Sequence, residues 1–235
     1  MNTLNILSGG AAQGLVGSLA AKFKTLTGFD IGGEFGAVGA MADKLRKGTP
    51  TDIVILTAAL VARLAEEKLV VPASISDVGL VETALAVRAG DPRVRATDAA
   101  TLRAAFLAAD AIFVPDTRTS TAGIHVAKVL AQLGIAEEVA ARLKIYPNGA
   151  TAMHHMAGSD AARPIGCTQS TEIISTEGVV LSGSLPKGCD LATMYTAGVT
   201  TQAAHATQAQ ALIELLTGAD QQSLRSAAGF LGAAK

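Results

Sequence analysis

The chain has no tryptophan, and aromatic residues make up only 3% of its 235 residues. Platforms for stacking on bases or sugar rings are therefore poorly supplied. An excess of either charge is also missing, since 19 Lys and Arg face 20 Asp and Glu for a net charge of −1. Without a basic footprint, nucleic acid is excluded as a partner. No apolar run approaches the ~18 residues expected of a membrane span, which predicts a soluble chain without membrane insertion. Met1-Asn2-Thr3 passes at once into a short apolar strand and a glycine turn, not into the basic and then apolar regions of a secretory leader. The expectation is a cytoplasmic protein, or a periplasmic one where a leader has been removed. Cys167 and Cys189 are too few and too far apart for a metal framework and read as structural. The sequence holds no H-E-x-x-H pair, no G-x-x-x-x-G-K-[ST] loop, no G-x-S-x-G elbow and no G-x-G-x-x-G turn in the first strand-to-helix junction. Neither a metal nor a cofactor is expected.

What is present is a recurring junction. A short apolar strand runs into a turn rich in Gly, Ser or Thr and then into an alanine-rich helical stretch. Leu4 to Leu7 leads into Ser8-Gly9-Gly10-Ala11, Gly33 to Phe35 into Gly36-Ala37-Val38-Gly39, and Ile112 to Val114 into Thr117-Arg118-Thr119-Ser120-Thr121. Lys144 to Tyr146 leads into Asn148-Gly149, and Ile165-Gly166 into Cys167-Thr168-Gln169-Ser170-Thr171. Each junction aims unpaired backbone N–H groups and small hydroxyls past the end of a strand, where the helix dipole favours negative charge. Five of them point to a small anion.

Periodicity predicts strands near 4 to 8, 29 to 35 and 52 to 56 and helices near 11 to 27, 37 to 47 and 58 to 67. This is α/β alternation with a parallel sheet, whose ligands bind beyond the carboxyl ends of the strands. After Pro72 a long extended run, Leu80 to Arg88, has no partner helix and reads as a crossing strand. A second set follows, with strands near 111 to 114, 144 to 146 and 163 to 168, the Val179 to Leu181 run, and helices near 97 to 108, 121 to 133, 136 to 142, 149 to 157 and 171 to 176. The segment near 190 to 198 carries the chain back to closing helices at 201 to 217 and 220 to 231. Two lobes are expected, 1–82 with 196–235 and 83–195, joined by hinge crossings near 80–90 and 188–198. Glycine turns facing each other would form a hinged ligand cleft.

The segments L-N-I-L-S-G-G-A-A-Q-G-L, F-G-A-V-G-A-M-A-D-K-L-R-K-G-T-P-T-D-I-V-I-L-T-A and T-A-G-I-H-V-A-K-V-L-A-Q-L-G-I resemble the periplasmic molybdate-binding proteins of ABC importers, within the type II solute-binding fold. The most specific piece is Gly48 to Thr57, G-T-P-T-D-I-V-I-L-T, which is similar to the family's G-x-P-A-D-x-x-x-S segment ending at the ligand. The resemblance implies a two-lobed protein that delivers a small anion to a permease. At positions where the family places its oxyanion hydroxyls, this chain has Ala11, the hydroxyl-free turn Gly36 to Gly39, and Gln169 in place of a tyrosine. The backbone donors remain while the tetrahedral cage is reduced, which turns the expectation towards a di- or tricarboxylate. The same fold hosts enzymes, and aconitate isomerase resembles this group.

The favoured expectation is therefore an isomerase that moves a proton along an allylic carboxylate, with an importer's binding protein as the alternative. Such a reaction needs anion clamps, one base and exclusion of water. Expected ligand contacts are Ser8, Gly9, Gly10, Ala37, Val38 and Thr57 in the first lobe. In the second they are Arg88, Arg118, Thr119, Ser120, Thr121, Asn148, Thr168 and Gln169, with Arg118 the favoured carboxylate partner because a guanidinium binds carboxylate bidentately. The proton carrier is sought among His154, His155, Glu34 and Tyr146, and adjacent helical positions allow at most one of the two histidines to face the ligand.

Overall fold

A computed structural model describes residues 2–232. In chain order the elements are β1 (Thr3–Gly9), a 3-10 turn (Gly10–Ala12), α1 (Gln13–Thr27), β2 (Asp30–Gly36), α2 (Val38–Arg46), β3 (Ile53–Thr57) and α3 (Ala58–Glu66). Then come β4 (Ser76–Arg88), α4 (Ala99–Ala108), β5 (Ala111–Pro115), α5 (Thr121–Gln132), α6 (Ala136–Val139), β6 (Leu143–Tyr146), α7 (Gly149–Ala157), β7 (Pro164–Gln169), α8 (Ser170–Ile174) and β8 (Val179–Ser184). The chain closes with β9 (Ala192–Val199), α9 (Ala206–Thr217) and α10 (Gln222–Ala227). It divides into two compact units: the first runs to Val81 and resumes at Thr193, and the second is Glu82–Ala192. The chain thus passes from unit to unit twice, once inside β4 and once at the start of β9. This is the two-crossover α/β fold that the alternation of strands and helices predicts.

In the first unit β1 lies between β2 and β3, parallel to both, and β9 adds antiparallel to β3. Leu4, Ile6, Leu15, Leu19, Phe23, Ile53, Ile55, Leu56 and Leu64 are fully buried in its core. α1 stops at Gly28, whose φ of 76° lies in the left-handed region open to glycine, and the Gly28 N–H closes the last turn on the Lys24 carbonyl. The Asp52 carboxylate, buried at the head of β3, accepts from the Asn5 N–H at 2.8 Å and from the His205 N–H at 2.9 Å. One side chain thereby ties together β1, β3 and the entry to α9.

In the second unit β5 is parallel to β6 and to β7, while β4 runs antiparallel to β7 and to β8. Strand alternation sends successive side chains to opposite faces. Leu85, Ile112, Val114, Ile165 and Cys167 pack with Leu102 and Phe106 of α4 and Val126, Val129 and Leu130 of α5. Ala84, Ala86 and Phe113 pack on the other face with Met153 and Met156 of α7 and Ile173 of α8. The sheet therefore has an α5 face and an α7 face, and residues near its rim can be assigned to one or the other.

Candidate functional site

The register of the first unit brings the predicted turns to one rim. Gly9 pairs with Gly36 and Ser8 lies beside both Phe35 and Ile55, so β1, β2 and β3 end together. Past them begin the 3-10 turn at Gly10, α2 at Val38 and α3 at Ala58, none with a side-chain cap or an acidic residue in its first turn. Ser8, Gly9, Gly10, Ala37, Val38 and Thr57 are brought together here. A Cβ on Gly9 would lie 2.8 Å from Val38 Cγ1 and 2.9 Å from Tyr195 Cε1, so glycine is required for α2 and the Tyr195 ring to close on the end of β1. Ser8 is fully buried and its hydroxyl donates to the Gly9 carbonyl at 2.9 Å. Tyr195, on β9 opposite Thr57, is a component the sequence reading missed, because antiparallel pairing from 138 residues further along the chain leaves no local signal.

The second unit presents two rims of different character, one on each face of its sheet. On the α7 face the helix start is already closed. Asn148 caps α7 through its side chain, which accepts from the Thr151 N–H at 2.8 Å. The buried Glu172 carboxylate accepts from the Thr168 hydroxyl at 2.6 Å and from the backbone N–H groups of Gln169, Gly149 and Ala150. Burial pushes this carboxyl above the usual glutamate range, against the pull of those four donors. A Cβ on Gly149 would meet Glu172 Oε2 at 1.9 Å, so the carboxylate sits directly on the helix start. The Thr168 hydroxyl is therefore spent on the Glu172 carboxyl group and the Asn148 side-chain oxygen on the Thr151 N–H.

On the α5 face buried polar groups are left without partners. Gln169 continues the side of β7 that carries Ile165 and Cys167, and its antiparallel partner Thr83 shares that side. Gln169 is 3% exposed and Thr83 1% exposed, yet neither atom of the Gln169 amide and not the Thr83 hydroxyl has a hydrogen-bond partner. The Thr171 hydroxyl, two residues on, is likewise buried without one. β5 runs parallel to β7, so α5 starts at the same rim; Ser120 is its N-cap residue, makes no side-chain cap and is followed by no acidic residue in the first turn. Gly123 makes the approach possible, since a Cβ there would lie 2.2 Å from the Asp116 carbonyl oxygen. The sequence reading included Gln169, Ser120 and Thr121 but missed Thr83 and Thr171.

The remaining expected residues are placed elsewhere or are committed locally. Thr119 donates its N–H at 2.8 Å and its hydroxyl at 2.9 Å to Asp116, and the Arg118 N–H donates to the same carboxylate. The backbone N–H of Arg118 and the Thr119 hydroxyl accordingly hold Asp116 below the usual carboxylate range. The exposed Arg118 guanidinium makes no hydrogen bond or ion pair among the described residues. Arg88 is a correction. β4 runs against β7, so Arg88 lies at the opposite rim from Gln169, five residues or about 16 Å along the strand from Thr83. Its guanidinium is held by Asp91 at 2.9 Å and by the Ser159 carbonyl at 2.6 Å.

The expected proton carriers stand apart as well. Glu34 is exposed and ion-paired with Lys44. His154 and His155 are both exposed on α7. His155 stacks on Tyr146 with ring centroids 4.5 Å apart, and Tyr146 on Phe113 at 6.0 Å, over an open cavity of about 530 Å³ that also reaches Asp110, Lys144 and Asp160. Phe113 belongs to the α7 face, so the thickness of the sheet separates this stack from Gln169. Cys167 is buried and unpaired, with its thiol pushed up to about 12 by desolvation, which fits a structural role rather than a nucleophile. No helix of the described residues is long and apolar enough to cross a membrane, and no group of three or more His, Cys, Asp and Glu among them could hold a metal ion.

Residues 4–231 match the profile of a family described as bacterial extracellular solute-binding protein. An aconitate isomerase from a Pseudomonas species is 22% identical over 231 residues, covering 94% of this chain and 84% of that protein. Among solved structures, the periplasmic molybdate-binding protein of Azotobacter vinelandii is similar with a TM-score of 0.80 at 17% identity, covering 97% of this chain and 98% of that one. The sulfate-binding protein of Mycobacterium tuberculosis is similar with a TM-score of 0.75 at 18% identity, covering 99% and 88%. At these identities the structural likeness speaks for the fold.

Proposed function

The chain belongs to the bacterial extracellular solute-binding protein family, and on that premise we propose that it binds a small di- or tricarboxylate anion. In the second unit the uncapped helix start at Thr121 supplies backbone donors, Gln169 supplies an amide, and Arg118 supplies a guanidinium for carboxylate. The observation that carries this reading is the Gln169 side chain, 3% exposed with both polar atoms unpartnered, beside the uncapped start of α5. A buried amide without partners costs on the order of 1–3 kcal/mol, a cost that a bound polar guest removes. The molybdate- and sulfate-binding names among its structural relatives support a small anion as the class. The family's extracellular description supports work in the periplasm, in company with an importer's permease, over the cytoplasmic location that the sequence leads us to expect first.

A second reading is favoured by one specific observation, the similarity to an aconitate isomerase along 94% of the chain. In that reading the bound carboxylate undergoes an allylic proton shift. Against it, the buried unpartnered groups at this rim are the Gln169 amide and the hydroxyl of its cross-strand partner Thr83, and the two histidines lie on the other face of the sheet. Thermal-shift and calorimetric titration with succinate, tricarballylate, malate, citrate, cis- and trans-aconitate, sulfate and molybdate tests the binding reading. Saturable stabilisation by carboxylates is expected, and a carboxylate series that leaves the melting temperature unchanged would refute it. NMR of cis-aconitate incubated with the protein tests the isomerase; the binding reading expects no trans isomer above the uncatalysed rate.

A further inference from the structure

We propose that the guest of the Gln169 rim carries its own hydrogen-bond donor, and that its class is the hydroxycarboxylates rather than donor-free oxyanions. This rests on the anion-binding reading above and narrows it. An amide offers one acceptor oxygen and one donor nitrogen, and both are buried at Gln169 with no partner among the described residues. The conclusion does not depend on which way the amide is assigned, because in either orientation one of the two buried atoms is an oxygen. Sulfate and molybdate dianions present acceptors alone. They would satisfy the Nε2 hydrogens and leave the oxygen desolvated against negative charge, which is the costly half of a broken hydrogen bond.

A hydroxycarboxylate meets both demands. Its hydroxyl donates to the Gln169 oxygen while a carboxylate oxygen accepts from the amide nitrogen and from the first N–H groups of α5. The Thr83 hydroxyl opposite can act as either donor or acceptor, so it adapts to whichever group faces it. Thr83 and Gln169 are direct cross-strand partners, whose side chains root about 5 Å apart. That spread suits functional groups on neighbouring carbon atoms better than the oxygens of one tetrahedral centre. The arrangement also ranks citrate above the aconitates, which have lost the hydroxyl.

The test is calorimetric titration of the full chain with matched pairs: malate against succinate, citrate against tricarballylate, and phosphate against sulfate, with molybdate alongside. The hydroxylated acid of each organic pair is expected to bind on the order of tenfold tighter or more, as a site built around a buried polar group discriminates against an analogue lacking its partner. Gln169→Met keeps the length of the side chain and removes both polar atoms, and should bring the malate-to-succinate ratio close to one. Equal affinities for malate and succinate in the wild type overturn the inference while leaving carboxylate binding intact. So does a preference for molybdate or sulfate, or a phosphate-over-sulfate preference unaccompanied by one for hydroxy acids. Failure of every carboxylate to bind overturns the underlying reading instead. The wild-type pairs decide the matter even where the variant does not fold.

Discussion

Glu172 shows how one side chain decides which end of a helix is available. Its carboxylate takes the place that a bound anion would take at the start of α7, and burial raises its pKa. The folded protein therefore holds this proton to a higher pH than the unfolded chain does. The stabilising contribution of Glu172 is complete below the usual glutamate value and is lost as pH rises through the folded value. Glu172→Gln does not titrate and turns an amide N–H2 towards N–H donors, so it should be less stable than the wild type in mild acid. The gap should narrow as the pH is raised to about 8; denaturant melts of both proteins across that range check this, and a gap that widens contradicts it. In the proposed carboxylate reading Arg118 acts at the same scale, and Arg118→Ala should raise the dissociation constant on the order of tenfold, within the range of a hydrogen bond to a charged group. Unchanged affinity in a calorimetric titration would place that arginine outside the site.

Glycines divide the helices into those that must sit close to their strands and those that need not. The start of α5 is seated against the loop after β5 only because Gly123 has no Cβ, which would lie 2.2 Å from the Asp116 oxygen and 2.5 Å from the Pro115 oxygen. Both are backbone atoms that cannot turn away. Gly123→Ala should cost about 1–3 kcal/mol of stability, the scale of overpacking, and should weaken anion binding because the helix start is displaced. Gly17, on the exposed side of α1, has nothing within 4 Å of a built Cβ, and Gly17→Ala should stabilise the chain by about 0.5–1 kcal/mol through helix propensity. Urea melts of the two variants read out the contrast. Most elements were legible in the sequence for the same local reasons: α7 runs over Gly149–Ala157 as its periodicity predicts, with Asn148 at its head. The closure of that helix by Glu172 was not, because the carboxylate comes from 23 residues downstream and only the fold brings it back. Likewise Arg88 reads as a site residue until the antiparallel pairing of β4 carries it to the far rim. The G-T-P-T-D segment is recognisable in sequence, but the role of Asp52 as a structural tie to Asn5 and His205 emerges only with the tertiary contacts.

The whole chain poses a different question, since one unit is continuous in sequence and the other is interrupted. The second unit, Glu82–Ala192, covers both faces of its sheet with its own helices, α4 to α6 on one side and α7 with α8 on the other. A stretch of this length with two covered faces meets the ordinary conditions for independent folding. The first unit draws Tyr195, Ala197, Val199, Ala209, Leu212, Ile213, Leu216 and Phe230 of its core from the returning segment, so residues 1–81 alone would leave much of that core unfilled. A fragment of residues 82–192 should therefore express with helical circular dichroism and a cooperative melt. Residues 1–81 should remain unfolded or aggregate until 193–235 is supplied, either in trans or fused directly behind them. Lost apolar burial at about 25 cal/mol per Å² makes the penalty for the truncated unit far larger than the marginal stability of a domain. A cooperative transition in the 1–81 fragment alone would show that its three parallel strands and their helices suffice without the returning segment, and would contradict the dependence on β9 and α9 argued from its core.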